Sequence, residues 1–469
     1  MIVTKTGISI NTLEEEIYRY SCELGREMLK TILTRIDDKL MEERDRREYR
    51  HKGKRGTVLK TIMGEVEYER AIYEYKDENG KKSYVYLLEE TLGFNTIGFV
   101  SDILAERIAE TSCEMSYRKA AQAVSELTGQ IISHTGAWNV VQRLGERLDK
   151  KECKAAALAK AHQGEGRNET KLLFEEQDGV YLNLQGEDRK KVGNSAEMKV
   201  AMAYTGAKKT GQKRYNLTGK VACANFEGID SFISRKEGVI AETYNVDEIE
   251  MRILNGDGAN WIKRSVTDET VHYQLDTFHR NKAIMQCVSD PEARKIIFKL
   301  LYSKQIDLLF KVIEAYSNST GDPKEQENYL QLLKYFQSNN DGLTSYKRRG
   351  LDLPPPSDGV EYRGCGAMES NIYTIISHRM KHRRANWSIR GGNNLARLLT
   401  LKATGKLSEV LSGLVSMTLP LKYSEEVQTV LSSSKISERI GKGYNGFSKS
   451  TIPTTLKWMK DLFALKPLY

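Results

Sequence analysis

Apolar residues recur at helical spacing in some stretches of the chain and alternate with polar residues in others. Residues 11–45 and 100–150 carry the helical pattern, and residues 57–87 are rich in β-branched and aromatic residues that partly alternate. From residue 171, short apolar runs and helical segments follow in the order strand, strand, strand, helix, strand, helix, strand, helix. This order mixes an antiparallel start with later crossovers, so the pattern predicts an α/β fold around a mixed sheet.

Breaks in the pattern divide the chain into segments. Residues 150–170 are polar and rich in Gly and Ala, which is typical of a linker, and the three prolines in residues 351–359 cannot continue a helix. The Arg and Lys cluster at residues 46–55 favours a solvated linker, with a phosphate contact as the alternative. The predicted segments are an N-terminal helix with a basic linker (1–56), a small β-rich module (57–99), a helical region (100–165), the first part of the core (166–285), a helical insertion (286–362), a helix that completes the core (363–405) and a helical tail (406–469).

The composition of the chain agrees with an ordinary folded protein and excludes few classes of function. A chain of 469 residues exceeds what one hydrophobic core usually supports, so we expect two to four domains. The net charge of +9 agrees with a polyanionic partner without requiring one. The six cysteines form no Cys-x-x-Cys pair, which argues against a zinc site and fits a reducing compartment. With no apolar run of about 18 residues and no signal-peptide pattern, we expect a soluble cytoplasmic protein.

Two consecutive helical stretches within residues 117–144 have helix-turn-helix character. The predicted inward-facing residues are Ala120, Ala121, Val124 and Leu127 on the first helix, and Trp138, Val141 and Leu144 on the second. Gly129 is placed to end the first helix and Ser133 to cap the second. In a DNA-binding pair, His134, Thr135 and Asn139 would lie near the groove. A plain helical hairpin is the alternative.

Three carboxylates stand out as candidates for chemistry. Asp178 lies in EEQDGVYL, where an apolar strand meets a predicted turn, and Asp257 follows another strand in ILNGDGANW. Glu369 falls in the first turn of a predicted helix, in GCGAMESNIY. Each one alone is explained by a turn, a helix cap or a helix dipole. Together, two strand-end carboxylates and one from a packed helix can share two Mg²⁺ ions, because this cation prefers oxygen ligands.

Four neighbouring residues compete for roles in the same site. Asp276, in QLDTFHR, also follows a strand and is either a ligand or a group that supports one. His279 either orients a phosphate or packs as a neutral histidine at a helix start. Glu175 and Glu176 could replace Asp178, but strand alternation points them to opposite faces, so only one of them could serve.

A basic stretch follows the candidate glutamate. The residues that could contact DNA phosphates are Arg379, Lys381, Arg383, Arg384 and Arg390. Trp387, in the same stretch, could stack on an unpaired base. The alternative is a solvated basic helix end.

Blocks of this sequence resemble a bacterial insertion-sequence transposase family, the ISLre-type family, which is also classed as an uncharacterised protein family. The blocks are FEEQDGVYLNLQ, NGDGANWIK, YQLDTFHRNKA and CGAMESNIYTIISHRMKHRRANWS, with TIMGEVEYERAIY and SYRKAAQAVSELTG upstream. The resemblance covers nearly the whole chain in the right order. It implies a ribonuclease-H-like core, distantly similar to Mutator-type transposases, with a helical insertion before the glutamate and a DDE triad at Asp178, Asp257 and Glu369.

A DNA transposase is therefore the leading hypothesis for function. We expect two Mg²⁺ ions, with Mn²⁺ as an alternative, and duplex DNA partners that comprise the element's terminal inverted repeats and the target. Action on two ends suggests a homo-oligomer, at least a dimer. A structure-specific nuclease would use the same site without joining strands. A DNA-binding repressor or decayed transposase would use the helix-turn-helix without the carboxylates.

Overall fold

The chain folds as two units, each built from separate stretches of the sequence. The computed structural model describes residues 10–76, 80–93, 99–128, 130–382, 384–415 and 421–431. The first unit comprises residues 1–108, 121–134 and 415–469, and the second comprises residues 109–120 and 135–414, as far as these are described.

The N-terminal third combines helices with a three-stranded sheet. Its elements are α1 (Ile10–Glu43), β1 (Arg50–Thr61), β2 (Gly64–Lys76), β3 (Lys82–Val85), α2 (Leu87–Leu92), α3 (Asp102–Glu114), α4 (Tyr117–Thr128) and α5 (His134–Lys160). The strands pair antiparallel in the order β1-β2-β3, which confirms the predicted β-rich stretch. Asn79-Gly80 predicts a hairpin turn between two strands, because both residues tolerate positive φ. Gly80 has φ 73°, as such a turn requires, whereas Asn79 lies outside the described residues.

Two linker predictions are wrong in part. Residues 50–55 belong to β1, because β2 pairs with them along almost their whole length. Residues 150–160 continue α5, whose far end is held by charged contacts within the second unit. Arg397 lies 2.5 Å from Asp149 and 2.9 Å from Glu152, and Arg235 lies 2.9 Å from Asp149. These long-range ion pairs override a local composition that is typical of a linker.

The second unit is built on a five-stranded mixed sheet. Its elements up to residue 287 are β4 (Leu172–Asn183), α6 (Gly186–Val192), β5 (Ser195–Tyr204), β6 (Gly206–Lys209), β7 (Tyr215–Thr218), β8 (Val221–Asn225), α7 (Ile229–Thr243), β9 (Met251–Gly256), α8 (Asn260–Lys263), β10 (Val271–Leu275) and α9 (Thr277–Cys287). The sheet order is β10-β9-β4-β5-β8. β4, β5 and β8 pair antiparallel, whereas β9 and β10 run parallel to β4. The mixed α/β class is therefore confirmed.

Helices make up most of the rest of the chain. They are α10 (Pro291–Tyr302), α11 (Ile306–Ser319), α12 (Pro323–Ser338), α13 (Met368–Ile372), α14 (His378–Met380), α15 (Ile389–Ala403), α16 (Leu407–Val415) and α17 (Ser424–Leu431). Asp290 and Asp322 cap α10 and α12, and a proline follows each of them in the first turn. A π-helical turn, Tyr373–Ser377, joins α13 to α14. Within the described residues, no helix is both long and apolar enough to cross a membrane.

The Gly391-Gly392 pair predicts an interruption of the helix over residues 368–405, and this prediction is wrong. Both glycines lie inside α15, and the chain leaves the helical conformation earlier, between α14 and α15. A Cβ atom on Gly392 would stand 2.7 Å from the ring of Phe226. These glycines therefore allow close packing of a helix rather than its interruption.

A buried ion cluster lies beneath the sheet. The Lys236 ammonium of α7 is 2.6 Å from Glu175 of β4 and 2.8 Å from Glu237. The Arg252 guanidinium of β9 lies 3.2 Å from Glu175 and 2.8 Å from Glu237. Only about 4% of the Lys236 side chain and 2% of the Glu175 side chain are exposed. Removal of one charge therefore leaves its partners buried and undercompensated.

Substitution Lys236→Met should lower the free energy of unfolding by about 3–5 kcal/mol, because it strands a buried carboxylate. Chemical denaturation measures this change. The control is Lys295→Met, which removes a cation from an ion pair with Glu292 in which both side chains are 72% exposed. This control should unfold like the wild type. Equal losses in the two variants would contradict a structural role for the buried cluster.

Candidate active site

The register of three strands brings three aspartates to one level of the sheet. Gln177 of β4 pairs with Gly256, the last residue of β9, and Gly256 pairs in turn with Leu275, the last residue of β10. The next residue in each strand direction is an aspartate: Asp178, Asp257 and Asp276. Because β9 and β10 run parallel to β4, these three side chains follow the same edge of the parallel part of the sheet.

The sequence predicts that Asp178 lies at the end of a strand, and this prediction is wrong. β4 continues to Asn183, and Asp178 pairs with Val200 of β5. The glycine after it serves close packing, because a Cβ atom on Gly179 would stand 2.1 Å from the Glu197 carboxylate. The predicted reversal of the chain is therefore absent. On its other side, β4 loses its partner β9 at this level, which opens space beside Asp178.

The predicted triad lines one small cavity. The lining residues are Gln177, Asp178, Asn255, Asp257, Asp276, Phe278, His279, Gly366, Met368 and Glu369. The cavity volume is about 20 Å³, which is room for about one water molecule. Asp178, Asp257 and Glu369 come together here from β4, the end of β9 and the first turn of α13. Because these three residues are far apart in the sequence, tertiary contacts and not local structure bring them together.

Asp178 carries its charge in an unfavourable environment. The pKa of Asp178 is raised to about 6, chiefly by burial and in smaller part by the negative charges of Asp257 and Asp276. The nearby His279 and the backbone N–H of Gly179, which donates to Asp178 at 2.7 Å, oppose this rise. A cation in the cavity would therefore relieve an electrostatic cost that the folded protein already bears.

Asp276 forms a fixed pair with His279. It caps α9, accepting hydrogen bonds from the His279 backbone N–H and from its Nδ1, each at 3.1 Å, and from the Asn255 amide at 3.0 Å. Burial by itself would raise the pKa of Asp276, but these hydrogen bonds outweigh it and lower the pKa to about 2. The contact with Asp276 raises the pKa of His279. Asp276 is thus a charged anchor for the imidazole.

Asp257 is held by its own loop. Its Oδ1 accepts the Ala259 backbone N–H at 2.9 Å, and its carbonyl oxygen accepts the Tyr335 hydroxyl at 2.8 Å. Gly258 has φ 95°, and a Cβ atom there would stand 2.7 Å from Asn339. Both facts require glycine at position 258, so the turn and its packing explain the second glycine of the Gly-Asp-Gly sequence.

Glu176 is the main residue of this region that sequence reasoning underrated. Its carboxylate is fully buried and accepts five hydrogen bonds, three of them from the backbone N–H groups of Gly366, Ala367 and Met368. Burial raises the pKa of Glu176, and these donors act against that rise. Glu175 points to the opposite face of the sheet, into the ion cluster with Lys236, as strand alternation predicts.

The donor set suits a hard divalent cation, although the side chains do not yet surround one. Among the residues that the structure describes, no three His, Cys, Asp or Glu side chains stand close enough together to hold a metal ion. The chemistry nevertheless fits, because the triad offers only carboxylate oxygens. Glu369 is exposed on the first turn of α13, so its side chain is free to turn towards the two aspartates. Asp178, Asp257 and Glu369 would then hold the ion.

The residues predicted to contact DNA occupy different environments. His134, Thr135 and Asn139 are exposed at the start of α5, as are Lys381, Arg384 and Arg390 beyond α14. Arg390 forms an ion pair with Glu146. Arg379 instead donates to the Ser112 carbonyl at 2.7 Å. The Arg383 prediction lies outside the described residues.

Three predictions of exposure or burial are wrong. Trp387 is only 7% exposed and its indole N–H donates to the Met380 carbonyl at 2.8 Å, so this ring is not open to a base. Leu127 and Trp138, predicted to face inward, are 75% and 43% exposed. The rest of both stripes is buried as predicted. Gly129, the predicted end of the first helix, lies outside the described residues.

Substitution Asp178→Asn should stabilise the metal-free protein at neutral pH by about 1–2 kcal/mol, because it removes a half-buried like charge without changing the side-chain volume. Thermal unfolding measures this change. Added Mg²⁺ should raise the melting temperature of the wild type and raise that of the variant less, since the cation relieves the same repulsion. An equal Mg²⁺ effect on both proteins would place any bound ion elsewhere.

Comparison with known proteins shows the family to which this chain belongs. The model of the uncharacterised protein family UPF0236 matches residues 3–411. A UPF0236 protein of Caldanaerobacter subterraneus subsp. tengcongensis is 25% identical over 415 residues, which cover 87% of this chain and 80% of the relative. A second protein of that organism is 26% identical over 424 residues, with 86% and 81% covered. A UPF0236 protein of Streptococcus gallolyticus is 25% identical over 420 residues, with 86% and 85% covered. Because the family model spans most of the sequence, the chain belongs to the UPF0236 family.

Proposed function

We propose that this protein is a DNA transposase that cleaves and joins phosphodiester bonds at the carboxylates of this site. The observation that carries the proposal is the convergence of Asp178, Asp257 and Glu369 on one cavity. Residues with a purely local role, such as turns and caps, have no reason to meet across three separate elements. Carboxylates that meet in a partly buried cavity repel one another, and such an arrangement points to function.

The architecture supports a ribonuclease-H-like core of the kind that the sequence resemblance implies. Three antiparallel strands come first, and crossovers through α7 and α8 then add two strands parallel to the first. Helices α10, α11 and α12 fall between Asp257 and Glu369, where the resemblance implies a helical insertion. The order of the secondary-structure elements and the order of the candidate ligands along the chain are therefore both compatible with the resemblance.

The names of two relatives add an independent line of support. One Caldanaerobacter protein has a name that joins eleven locus designations, and another joins four. Several loci for one protein in one genome are what a mobile element would leave behind after copying itself. The present chain belongs to the same family as these relatives.

Each residue of the cavity would have its own role in the reaction. Two Mg²⁺ or Mn²⁺ ions, when bound, would supply Lewis-acid stabilisation of the charge that develops in phosphodiester cleavage. Asp178 and Asp257 would hold the ions from the rigid sheet, and Glu369 would complete the ligand set from α13. Asp276 fixes the His279 ring through Nδ1, so its other nitrogen is oriented to donate to a phosphate oxygen.

Exposed polar and basic residues would bring duplex DNA to this site. The start of α5 presents Thr135 and Asn139, which suits the second helix of a helix-turn-helix. Lys381 and Arg384 are exposed shortly after the helix that carries Glu369, which suits contact with backbone phosphates. Action on two element ends favours a dimer or a larger homo-oligomer.

Substitution Asp257→Asn should lower the rates of DNA cleavage and joining by at least about 100-fold, because one carboxylate fewer holds the divalent ions. The measurement uses purified protein, Mg²⁺ and a duplex that ends in the element's own terminal repeat, with nicks and joined strands resolved on a gel. DNA affinity should stay unchanged, which a binding assay without Mg²⁺ checks.

The matched control is Asp268→Asn, in the exposed loop before β10, which changes an aspartate outside the cavity and should leave both steps intact. Cleavage without joined strands in the wild type would favour a structure-specific nuclease. Binding without cleavage under any metal condition would favour a repressor or a decayed copy. Wild-type activity in Asp257→Asn would exclude Asp257 as a ligand and make Asp276 the next residue to test.

A further inference from the structure

The loop before α13 is tied to the central strand by one carboxylate. Glu176 Oε2 accepts the Gly366 N–H at 3.0 Å and the Met368 N–H at 3.0 Å, and Oε1 accepts the Ala367 N–H at 3.2 Å. Three successive backbone donors thus converge on one side chain nearly two hundred residues away in sequence. The next residue along the chain is Glu369.

Two further donors fix the carboxylate itself. The Tyr204 hydroxyl of β5 donates to Oε1 at 2.6 Å, and the Asn255 amide of β9 donates to Oε2 at 3.3 Å. Tyr204 and Asn255 are both buried, and the Tyr204 ring stacks on Phe174 with centroids 5.4 Å apart. All five partners donate hydrogen bonds, so the Glu176 position requires a side chain with two acceptor oxygens. An amide side chain would turn one donor group against these donors.

The register of the sheet explains why these groups meet. Glu176 pairs with Asn255, and Asn255 pairs with Gln274, so the three side chains form a row across β4, β9 and β10. The Asn255 amide also donates to Asp276 at 3.0 Å, and its carbonyl oxygen accepts from Gln274 at 3.1 Å. The row lies two residues before Asp178 on the same face of the strand.

We infer that Glu176 is a positioning residue that fixes the start of α13 and thereby places Glu369 beside Asp178 and Asp257. The inference rests on the proposed function, because it assigns Glu369 a role in that site. Glu369 is exposed and lies in the first turn of a short helix. The residues before it are held by Glu176, and the buried Met368 side chain lines the cavity. Loss of the anchor would free this turn while leaving Glu369 itself intact.

The test compares Glu176→Gln with Glu175→Gln. Both residues are buried neighbours on β4, but Glu175 faces the ion cluster on the other side of the sheet. Amide hydrogen exchange within Gly366, Ala367 and Met368 should be faster by at least about 10-fold in Glu176→Gln, because one of the two acceptor oxygens becomes an NH2 donor that faces these N–H groups. The same amides should keep wild-type exchange in Glu175→Gln, even though that variant also loses a buried charge.

The rate of DNA cleavage is the second measurement. Under single-turnover conditions with saturating DNA, Glu176→Gln should cleave about 10–100-fold more slowly, the loss typical when a residue that supports a metal ligand is removed. DNA affinity should be unchanged, and a higher Mg²⁺ concentration should restore part of the rate. Added to Glu369→Gln, the Glu176→Gln change should cause little further loss, because both act through one ligand.

Several outcomes would overturn the inference. Unchanged exchange at these amides, equal rate losses in Glu176→Gln and Glu175→Gln, or fully additive losses with Glu369→Gln would each do so. Should Glu176→Gln fail to fold, Tyr204→Phe removes one of the five donors and keeps the ring, and wild-type exchange at Ala367 in that variant would count against the anchor. A wild-type protein that never cleaves DNA contradicts the proposed function instead, and the exchange rates then decide the positioning role alone.

Discussion

The parallel register of β4, β9 and β10 is the constraint on which the candidate site depends. Gly256 ends β9 opposite Gln177 and beside Leu275, so each strand delivers an aspartate to the same level. A shift of one residue in either pairing would turn the side chains to the other face of the sheet. The register thus places Asp178 in a partly buried position near two other carboxylates, and burial above all raises the pKa of Asp178 to about 6.

The sequence indicated the class of fold and the strands that carry the aspartates, because their apolar runs are short and end in Gly or Asp. It did not predict that β4 runs through Asp178, since Asp-Gly is a common turn dipeptide and only the pairing with β5 overrides it. The short apolar run of β8 was missed. Leu127 and Trp138 fall on unexpected sides because periodicity does not reveal which face a distant element covers.

Glu176 illustrates the limit of local reasoning most clearly. A buried glutamate beside a candidate catalytic aspartate looks like a rival ligand when only the strand is considered. Its five donors come from β5, β9 and the loop before α13, none of which is near it in sequence. The carboxylate thus joins the rigid sheet to the one member of the triad that lies on a helix. In the proposed transposase, Asp178 and Asp257 form the fixed part of the site and Glu369 the part that has to be placed.

The location of bound metal tests this account most directly. A crystal of the protein grown with Mn²⁺ and measured at the manganese absorption edge would show each ion by its anomalous scattering. The account predicts manganese between Asp178 and Asp257, with Glu369 turned in to complete its ligands. Manganese held only by Asp276 and His279, or a cavity that stays free of metal while DNA is cleaved, would contradict it.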